Sequence, residues 1–542
     1  MDRRSFLLGA GGAGVLAAAT AAGYWRWQEI TPHIHAAGRA EGHFLRGLQG
    51  QEKRPALPPP SAQIDADIVI LGAGIAGLTA AWKLHKEGHS EFLVIDGPES
   101  YGNAAGTSLG GYVCPTGAHY LPLPATDAFH VREILHDTGI LLRHPTATKP
   151  YYDERFLLHE PQERILYQGR WQEGVLPKEG VPAWELAEHE RFQAEMARIH
   201  GLRGADGRRL FTLPSALASN DPAWLALDRI SFRAWLTQNG FRAPTLHWYA
   251  DYCCRDDYGA GADHVSAWAG LHYFCSRGGQ AENAADGAWL TWPGGLDPLA
   301  AAMDKAAGSR RRHGTTVSLE KTATGVQALC FELQDGQPKT YLVRARKAIC
   351  AMPLFVAARV VRDIAGYGFD TGRHLPTYAP WMVANFLMKG FPEELPQAPL
   401  SWDNVVYGGK GLGYVVSTHQ DVRVTPPQKT VLTAYVDMSA MAPQAARRWL
   451  QDARPQDLLD LAASDLKAAY GARFAGLVER ADLTLRAHAM ASPRPGFRAN
   501  AGLQALRAVD GPILFAHADL SGFSVFEEAS WWGYQAALRA LA

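Results

Sequence analysis

Asp67-Ile68-Val69-Ile70-Leu71-Gly72-Ala73-Gly74-Ile75-Ala76-Gly77-Leu78-Thr79-Ala80-Ala81-Trp82-Lys83-Leu84 is the stretch that decides how this chain folds. Its opening apolar run has no polar interruption, as a strand buried on both faces requires. Three glycines follow, each with its own task. Gly72 permits a tight turn, Gly74 lets the backbone approach a pyrophosphate, and Gly77 lets helix and strand pack closely. The helix that begins there offers free N–H groups and a partial positive charge to phosphates. A second apolar run, Phe92-Leu93-Val94-Ile95, ends on Asp96. That acid lies about 20 residues beyond the loop, where a carboxylate accepts hydrogen bonds from a ribose. A lone glycine motif is weak, but strand, loop, helix, strand and acid in register predict a dinucleotide site.

The chain has 542 residues, enough for two or three lobes around a large core. Its 53 basic and 54 acidic residues nearly cancel, so nothing points to nucleic acid or to an anionic membrane surface. Sixteen tryptophans suit either an aromatic-lined cavity or a big core. The six cysteines contain no C-x-x-C and no zinc spacing, so no metal site is expected. Cys253 and Cys254 read as buried helix-face thiols. Asp2-Arg3-Arg4-Ser5-Phe6-Leu7-Leu8 and the Gly/Ala-rich run to Trp25 resemble a twin-arginine export signal. The resemblance implies passage through the twin-arginine translocase, after folding, to the bacterial periplasm. Ala19-Thr20-Ala21 offers a cleavage site; an uncleaved tether to the inner membrane is the alternative.

Composition then divides the chain. Residues 1–25 are the signal or anchor, and 26–63, ending in Pro58-Pro59-Pro60, read as a linker. Residues 64–126 carry the dinucleotide unit and a long glycine-rich loop with Gly110-Gly111 and Gly117-Ala118-His119-Tyr120; over-long loops are usually functional. Residues 127–290 look mainly helical, with Ser231 as an N-cap. Residues 291–377 open on Pro293-Gly294-Gly295-Leu296, with Asp297 as a cap and Pro298 in the first helical turn. They continue through a hairpin at Asp335-Gly336 to the strand Arg346-Lys347-Ala348-Ile349-Cys350-Ala351-Met352-Pro353. Residues 378–488 alternate strands with a helix over 457–470. Residues 489–542 hold the strand Pro512-Ile513-Leu514-Phe515-Ala516 and a last helix from Glu527.

Three separated pieces, namely the glycine loop, the central Pro293-Gly294-Gly295-Leu296 with its proline-ended strand, and the C-terminal strand and helix, together resemble the flavin-containing amine oxidase superfamily. The resemblance implies an α/β fold with a discontinuous, three-layer Rossmann-like FAD-binding domain and an interposed α+β substrate domain. It implies FAD, held without a covalent bond because no cysteine follows Cys350, near Gly72, Gly74, Gly77, Asp96, Gly110, Gly111, Asp519, Val525 and Phe526. The last helix, starting near Val525 and Phe526, would point at the flavin pyrimidine. His119 and Asn385 are the candidate catalytic residues. His119 sits on the loop expected to pass over the flavin, with loop anchoring as its other reading. Asn385 falls near where family members carry a lysine. Tyr120, Tyr407 and Phe523 are expected to line the substrate pocket. Trp402-Asp403-Asn404 and Arg255-Asp256-Asp257-Tyr258 read as core packing and as an ion-pair network.

The resemblance implies an exported FAD-dependent oxidoreductase acting on a small molecule. Hydride would pass from a C–N bond of an amine to the flavin, with O2 or a quinone as acceptor. The alternatives are a desaturase or isomerase on an apolar substrate, favoured by the missing lysine, and a flavoprotein that only relays electrons.

Overall fold

A computed structural model describes residues 27–49, 57–335, 337–394 and 398–542. Two sheets organise it. In the first, Gln63–Leu71 lies between Phe92–Ile95 and Gln337–Cys350, all parallel, and Ile513–Phe515 adds to Gln337–Cys350. Ile70 pairs with Val94 on one side and Ile349 on the other, and Ile349 pairs with Leu514. Segments far apart in sequence therefore form one buried parallel core, which is why residues 68–71, 92–95, 348–350 and 513–515 are apolar without alternation. The fold is α/β, with a discontinuous Rossmann-like unit.

The hairpin expected at Asp335-Gly336 joins Val326–Gln334 to Gln337–Cys350, with Gly336 outside the described residues. The second arm is longer than expected. A single strand runs from the hairpin to Cys350, changing neighbours from Val326–Gln334 to Ile513–Phe515 along the way.

The second sheet has eight strands, with Thr377–Met388 between Val478–Ser492 and Thr430–Asp437. Helix Pro244–Tyr258 packs through Tyr252 and Cys253 on the face carrying Trp381, Val383, Trp402 and Tyr435. Pro455–Ala462 and Ser464–Tyr470 cover the opposite face. These two helices replace the single one expected over 457–470, and they meet at Ala463. The 127–290 segment is also less helical than expected. It supplies Glu163–Tyr167 and Arg170–Glu173 to this sheet, between helix Phe129–Asp137 and helix Ala183–His200.

The stretch read as a linker, 26–63, carries structure of its own. His33–His35 pairs in parallel with Val478–Ser492 at the sheet edge, and Arg39–Gln49 is helical. Trp27 is buried, with its Nε1–H donated to Asp460 at 2.7 Å. Its proline-rich composition hid a strand whose partners lie more than 400 residues away. Arg3 and Arg4 of the expected export signal lie outside the described residues. Among those that are described, no helix is long and apolar enough to cross a membrane.

The last helix, Phe526–Leu541, lies on the glycine-loop helix Ile75–Lys86. A Cβ added at Gly533 would sit 2.1 Å from the Ala76 carbonyl oxygen. In an exposed helix Gly→Ala stabilises by up to about 1 kcal/mol. Here overpacking reverses the sign, and Gly533→Ala is expected to cost about 1–3 kcal/mol. A denaturant melt checks this, and an unchanged or raised midpoint would contradict it.

Candidate active site

At the glycine loop, each glycine has a visible cause. Gly72 has φ +111°, and a Cβ there would meet the Ala351 carbonyl oxygen at 2.9 Å; a Cβ on Gly77 would lie 1.8 Å from the Gly72 carbonyl oxygen. Gly74 differs, because its backbone is extended (φ −74°) and a Cβ would meet nothing within 4 Å. It caps the helix without a side-chain hydrogen bond. Open space thus adjoins unsatisfied helix N–H groups, the cradle a pyrophosphate needs. Asp96 stands at the end of its strand, 3.3 Å from the Arg311 guanidinium and 3.1 Å from His313 Nδ1. The residues present therefore fit a dinucleotide.

Gly110 and Gly111 do not join this cradle. They form the turn between Gly106–Leu109 and Tyr112–Pro115, both with positive φ, and a Cβ on Gly110 would strike Leu387 at 2.6 Å. Tyr101 and Gly102 take that place instead. Tyr101 N–H donates to the Ala73 carbonyl, and Gly102 faces Gly74. Asp519 is buried with its carboxylate already occupied, accepting from Leu354 N–H at 2.9 Å and Tyr378 O–H at 2.6 Å. Burial alone would raise its pKa; neighbouring His517 and these hydrogen bonds outweigh that and hold it below the usual range. Asp519 thus ties the two lobes together.

A cavity of about 420 Å³ opens between helix Pro244–Tyr258, the second sheet and the His119 loop. The His119 ring stacks on Tyr435 at 4.4 Å and tilts against Trp402 at 5.2 Å. Its backbone is fixed from several sides. Leu296 N–H donates to the Ala118 carbonyl, Thr291 O–H to that of His119, and Tyr435 O–H to that of Gly117. Gly295, at φ +68°, has no room for a Cβ beside Ala118. The Pro293-Gly294-Gly295-Leu296 motif therefore holds the His119 loop. Asp297, expected as a cap, instead follows the N-cap Leu296 and accepts the Gly106 N–H at 3.0 Å.

Burial pushes the His119 imidazole down to about 3, so it is neutral at working pH and a weak base. Replacing it with Phe keeps the stack on Tyr435, and kcat/KM is expected to fall less than about tenfold with an unchanged pH profile. Losing a general base costs about 10²–10⁴-fold, so a loss of that size together with a vanished acidic limb would instead make His119 the base.

Carboxylates set the polarity of this cavity. Tyr249, Tyr252, Cys253 and Asp256 line it from one face of their helix. Asp256 accepts the Tyr120 O–H at 3.1 Å. Burial and the charge of Asp257 push its carboxyl up to about 7. Glu163 and Asp403 face one another on neighbouring parallel strands. Both are raised by burial first, Asp403 well above the usual range, with Glu163 and Asp256 adding to its shift. Lys178 is the cation among the lining residues.

Of the expected pocket residues, Tyr120 lines the cavity. Tyr407 packs outside it, between Tyr167 and Trp248. Phe523 stacks on His272 at 4.7 Å and, with Val525, walls a separate shallow pocket at the start of the last helix. Phe526 is buried as the first residue of that helix. Asn385, expected to be catalytic, is buried in packing. It donates to the Pro115 carbonyl at 3.0 Å and accepts from Thr433 O–H at 2.6 Å, away from the cavity. The charged patch 255–258 divides. Arg255 pairs with Asp437 and Asp257 with Arg277, leaving Asp256 to the cavity. Trp402 and Asp403 line the cavity, whereas Asn404 is hydrogen-bonded to Arg164.

A family described as NAD(P)-binding Rossmann-like domain matches residues 70–138. Over 88% of its length the chain is similar in structure to amine oxidases. A putrescine oxidase redesigned in its cofactor binding superposes with TM-score 0.63 at 17% identity, covering 88% of this chain and 99% of that one. Cyclohexylamine oxidase from Brevibacterium oxydans IH-35A gives 0.61 at 17%, covering 88% and 98%. A CLA-producing fatty acid isomerase from P. acnes gives 0.56 at 15%, covering 88% and 98%. At such identities the likeness is one of fold, and it extends over both lobes.

Proposed function

We propose that this protein is a FAD-dependent oxidoreductase of the flavin-containing amine oxidase superfamily, and that it oxidises a cationic amine. The observation that carries the reading is the aromatic cavity with three half-buried carboxylates, Glu163, Asp256 and Asp403, against one lining lysine. Half-buried acids that strain to stay ionised are stabilised by a cation, and the faces of Trp402 and Tyr435 favour one as well. The glycine cradle, Asp96 and the last helix would hold FAD, which supplies a two-electron acceptor for hydride from the carbon beside the nitrogen. The ammonium must lose a proton before it can give that hydride. Asp256 Oδ1 is suited to take it, since Oδ2 already accepts from Tyr120 and the carboxyl titrates near neutrality. The aromatic walls exclude water from the reacting carbon. FAD would be bound without a covalent link, with O2 or a quinone as the final acceptor. Arg3-Arg4 and the apolar run after them support export to the periplasm, cleaved or tethered.

A second reading, a desaturase or isomerase on an apolar substrate, is favoured by the likeness in fold to the CLA-producing fatty acid isomerase. Anaerobic titration of the purified flavoprotein separates the two. Prompt bleaching of the flavin band by small amines supports amine oxidation. Bleaching by lipid-like compounds alone supports the second reading, and a folded protein without a flavin spectrum overturns both.

A further inference from the structure

Apolar side chains that stand singly on a surface need no explanation, whereas a cluster of them marks a contact. Among the described residues ten large apolar side chains are exposed, and three of them, Phe391, Val422 and Val424, share one end of the second sheet. Met388 and Thr430 pair where their strands meet that end. Residues 389–393 run on from Met388, and residues 421–428 lead towards Thr430. A Cβ on Gly390 would lie 3.9 Å from the Gln428 carbonyl oxygen, so the two loops run side by side. Val422 is 77% exposed and Val424 entirely so. The rim of this patch is neutralised. Arg423 pairs with Asp421 and lies over the Tyr112 ring at 5.6 Å, and Lys429 pairs with Glu479 at 2.6 Å. From Val424 to Gln428 the loop carries no charge, and Pro426-Pro427 fixes two of its φ angles. Covering this tip therefore strips few charges and orders little chain.

We propose that this end of the second sheet docks on a lipid bilayer, with Val422, Val424 and Phe391 seated among the headgroups. What selects lipid as the occupant is the place where the preceding chain joins. The described chain begins at Trp27, whose ring lies 5.8 Å from that of Phe474. Arg473, beside Phe474, pairs with Glu393 at 2.6 Å, two residues from Phe391. The sequence before Trp27, with Phe6-Leu7-Leu8 and its Gly/Ala-rich run, thus enters the fold beside the exposed loops. Gly and Ala gain little from hydrocarbon, and weak anchors hold stably only in pairs. The loop tips supply the second contact for an uncleaved N-terminal tether. Lys389, at the edge of the patch, is long enough to keep its charge in water while the stem lies along the apolar surface.

All six native cysteines are buried, so a cysteine introduced at the surface takes up an environment-sensitive nitrobenzoxadiazole label selectively. The full chain labelled at Val424→Cys is expected to brighten and shift to the blue when phosphatidylcholine vesicles are added. The same label at Leu142→Cys, exposed on the first lobe, should stay unchanged. Val422→Asp/Val424→Asp should weaken co-sedimentation with those vesicles by about tenfold or more, at an unaltered melting temperature, since both side chains lie outside the core. Vesicle binding with a silent Val424→Cys label would mean that the N-terminal run attaches alone, and would overturn the proposal. A label already blue-shifted in buffer would overturn it as well. In a monomer that result would assign the patch to the chain's own first residues, and in a dimer, read by light scattering, to a second copy. Absence of vesicle binding, or an equal response from both labels, would likewise defeat it.

Discussion

Gly74→Ala is expected to yield a stable, folded protein that does not retain FAD, and Gly77→Ala to yield little folded protein at all. The two residues belong to one motif, yet they answer to different constraints. At Gly77 the added methyl would lie 1.8 Å from the Gly72 carbonyl oxygen, a backbone atom that cannot move without unmaking the turn. That turn feeds the central strand of the first sheet, so the damage reaches the core. At Gly74 the methyl enters open space, and φ −74° suits alanine. The methyl would fill the approach that phosphate oxygens need to reach the helix N–H groups. The ligand-free melting temperature of Gly74→Ala should match wild type stripped of flavin, while FAD occupancy of the purified protein falls at least tenfold. Normal flavin content in Gly74→Ala would remove the glycine loop from the cofactor site. A well-folded Gly77→Ala would mean the helix packs less tightly than the structure has it.

What could be read from sequence alone follows the range of the interactions involved. The glycine loop was legible because strand, turn and helix specify one another within about 30 residues. The pairing of Gln337–Cys350 with both Gln63–Leu71 and Ile513–Phe515 needed the family resemblance, since no local pattern names a partner strand. Gly110-Gly111 misled because adjacent glycines mark a hairpin turn as readily as a phosphate contact. The positive φ at both positions is spent on the turn. Asn385 was placed by the family resemblance, near a lysine position, but an amide between two strands and a hairpin finds partners in the packing. Asp256 carried a readable signal, because it continues the helix-face spacing of Tyr249, Tyr252 and Cys253. The flanking Arg255 and Asp257 made it look like one more member of a charge network. Glu163 gave no such signal, since its meaning lies in facing Asp403 from a strand about 240 residues away.

Asp256→Asn is expected to lower kcat/KM for amines by about 10²-fold or more, because removing one partner of a buried charge pair costs about 2–5 kcal/mol and each 1.36 kcal/mol is tenfold. The amide is close to isosteric, and its oxygen can still accept from Tyr120, so the loss reports the charge rather than the packing. Asp403→Asn should act in the same direction. The pH dependence follows from the position of the Asp256 carboxyl. In the folded protein it titrates at about 7, and in the unfolded chain near 4. The folded state therefore holds its proton more tightly. The contribution of Asp256 to stability is fullest below pH 4, falls as pH rises from 4 towards 7, and levels off above. Asp256→Asn removes this slope, so the variant gains on wild type across that window in the absence of amine. A cationic ligand acts oppositely, binding the ionised carboxylate. Its affinity should rise with pH up to about 7 and then flatten. Spectral titration of the flavoprotein from pH 5.5 to 8.5 with a slowly oxidised amine measures this directly. A flat affinity profile, together with an Asp256→Asn variant of undiminished kcat/KM, would mean that the carboxylates do not recognise the substrate's charge, and the case for an amine would fall with them.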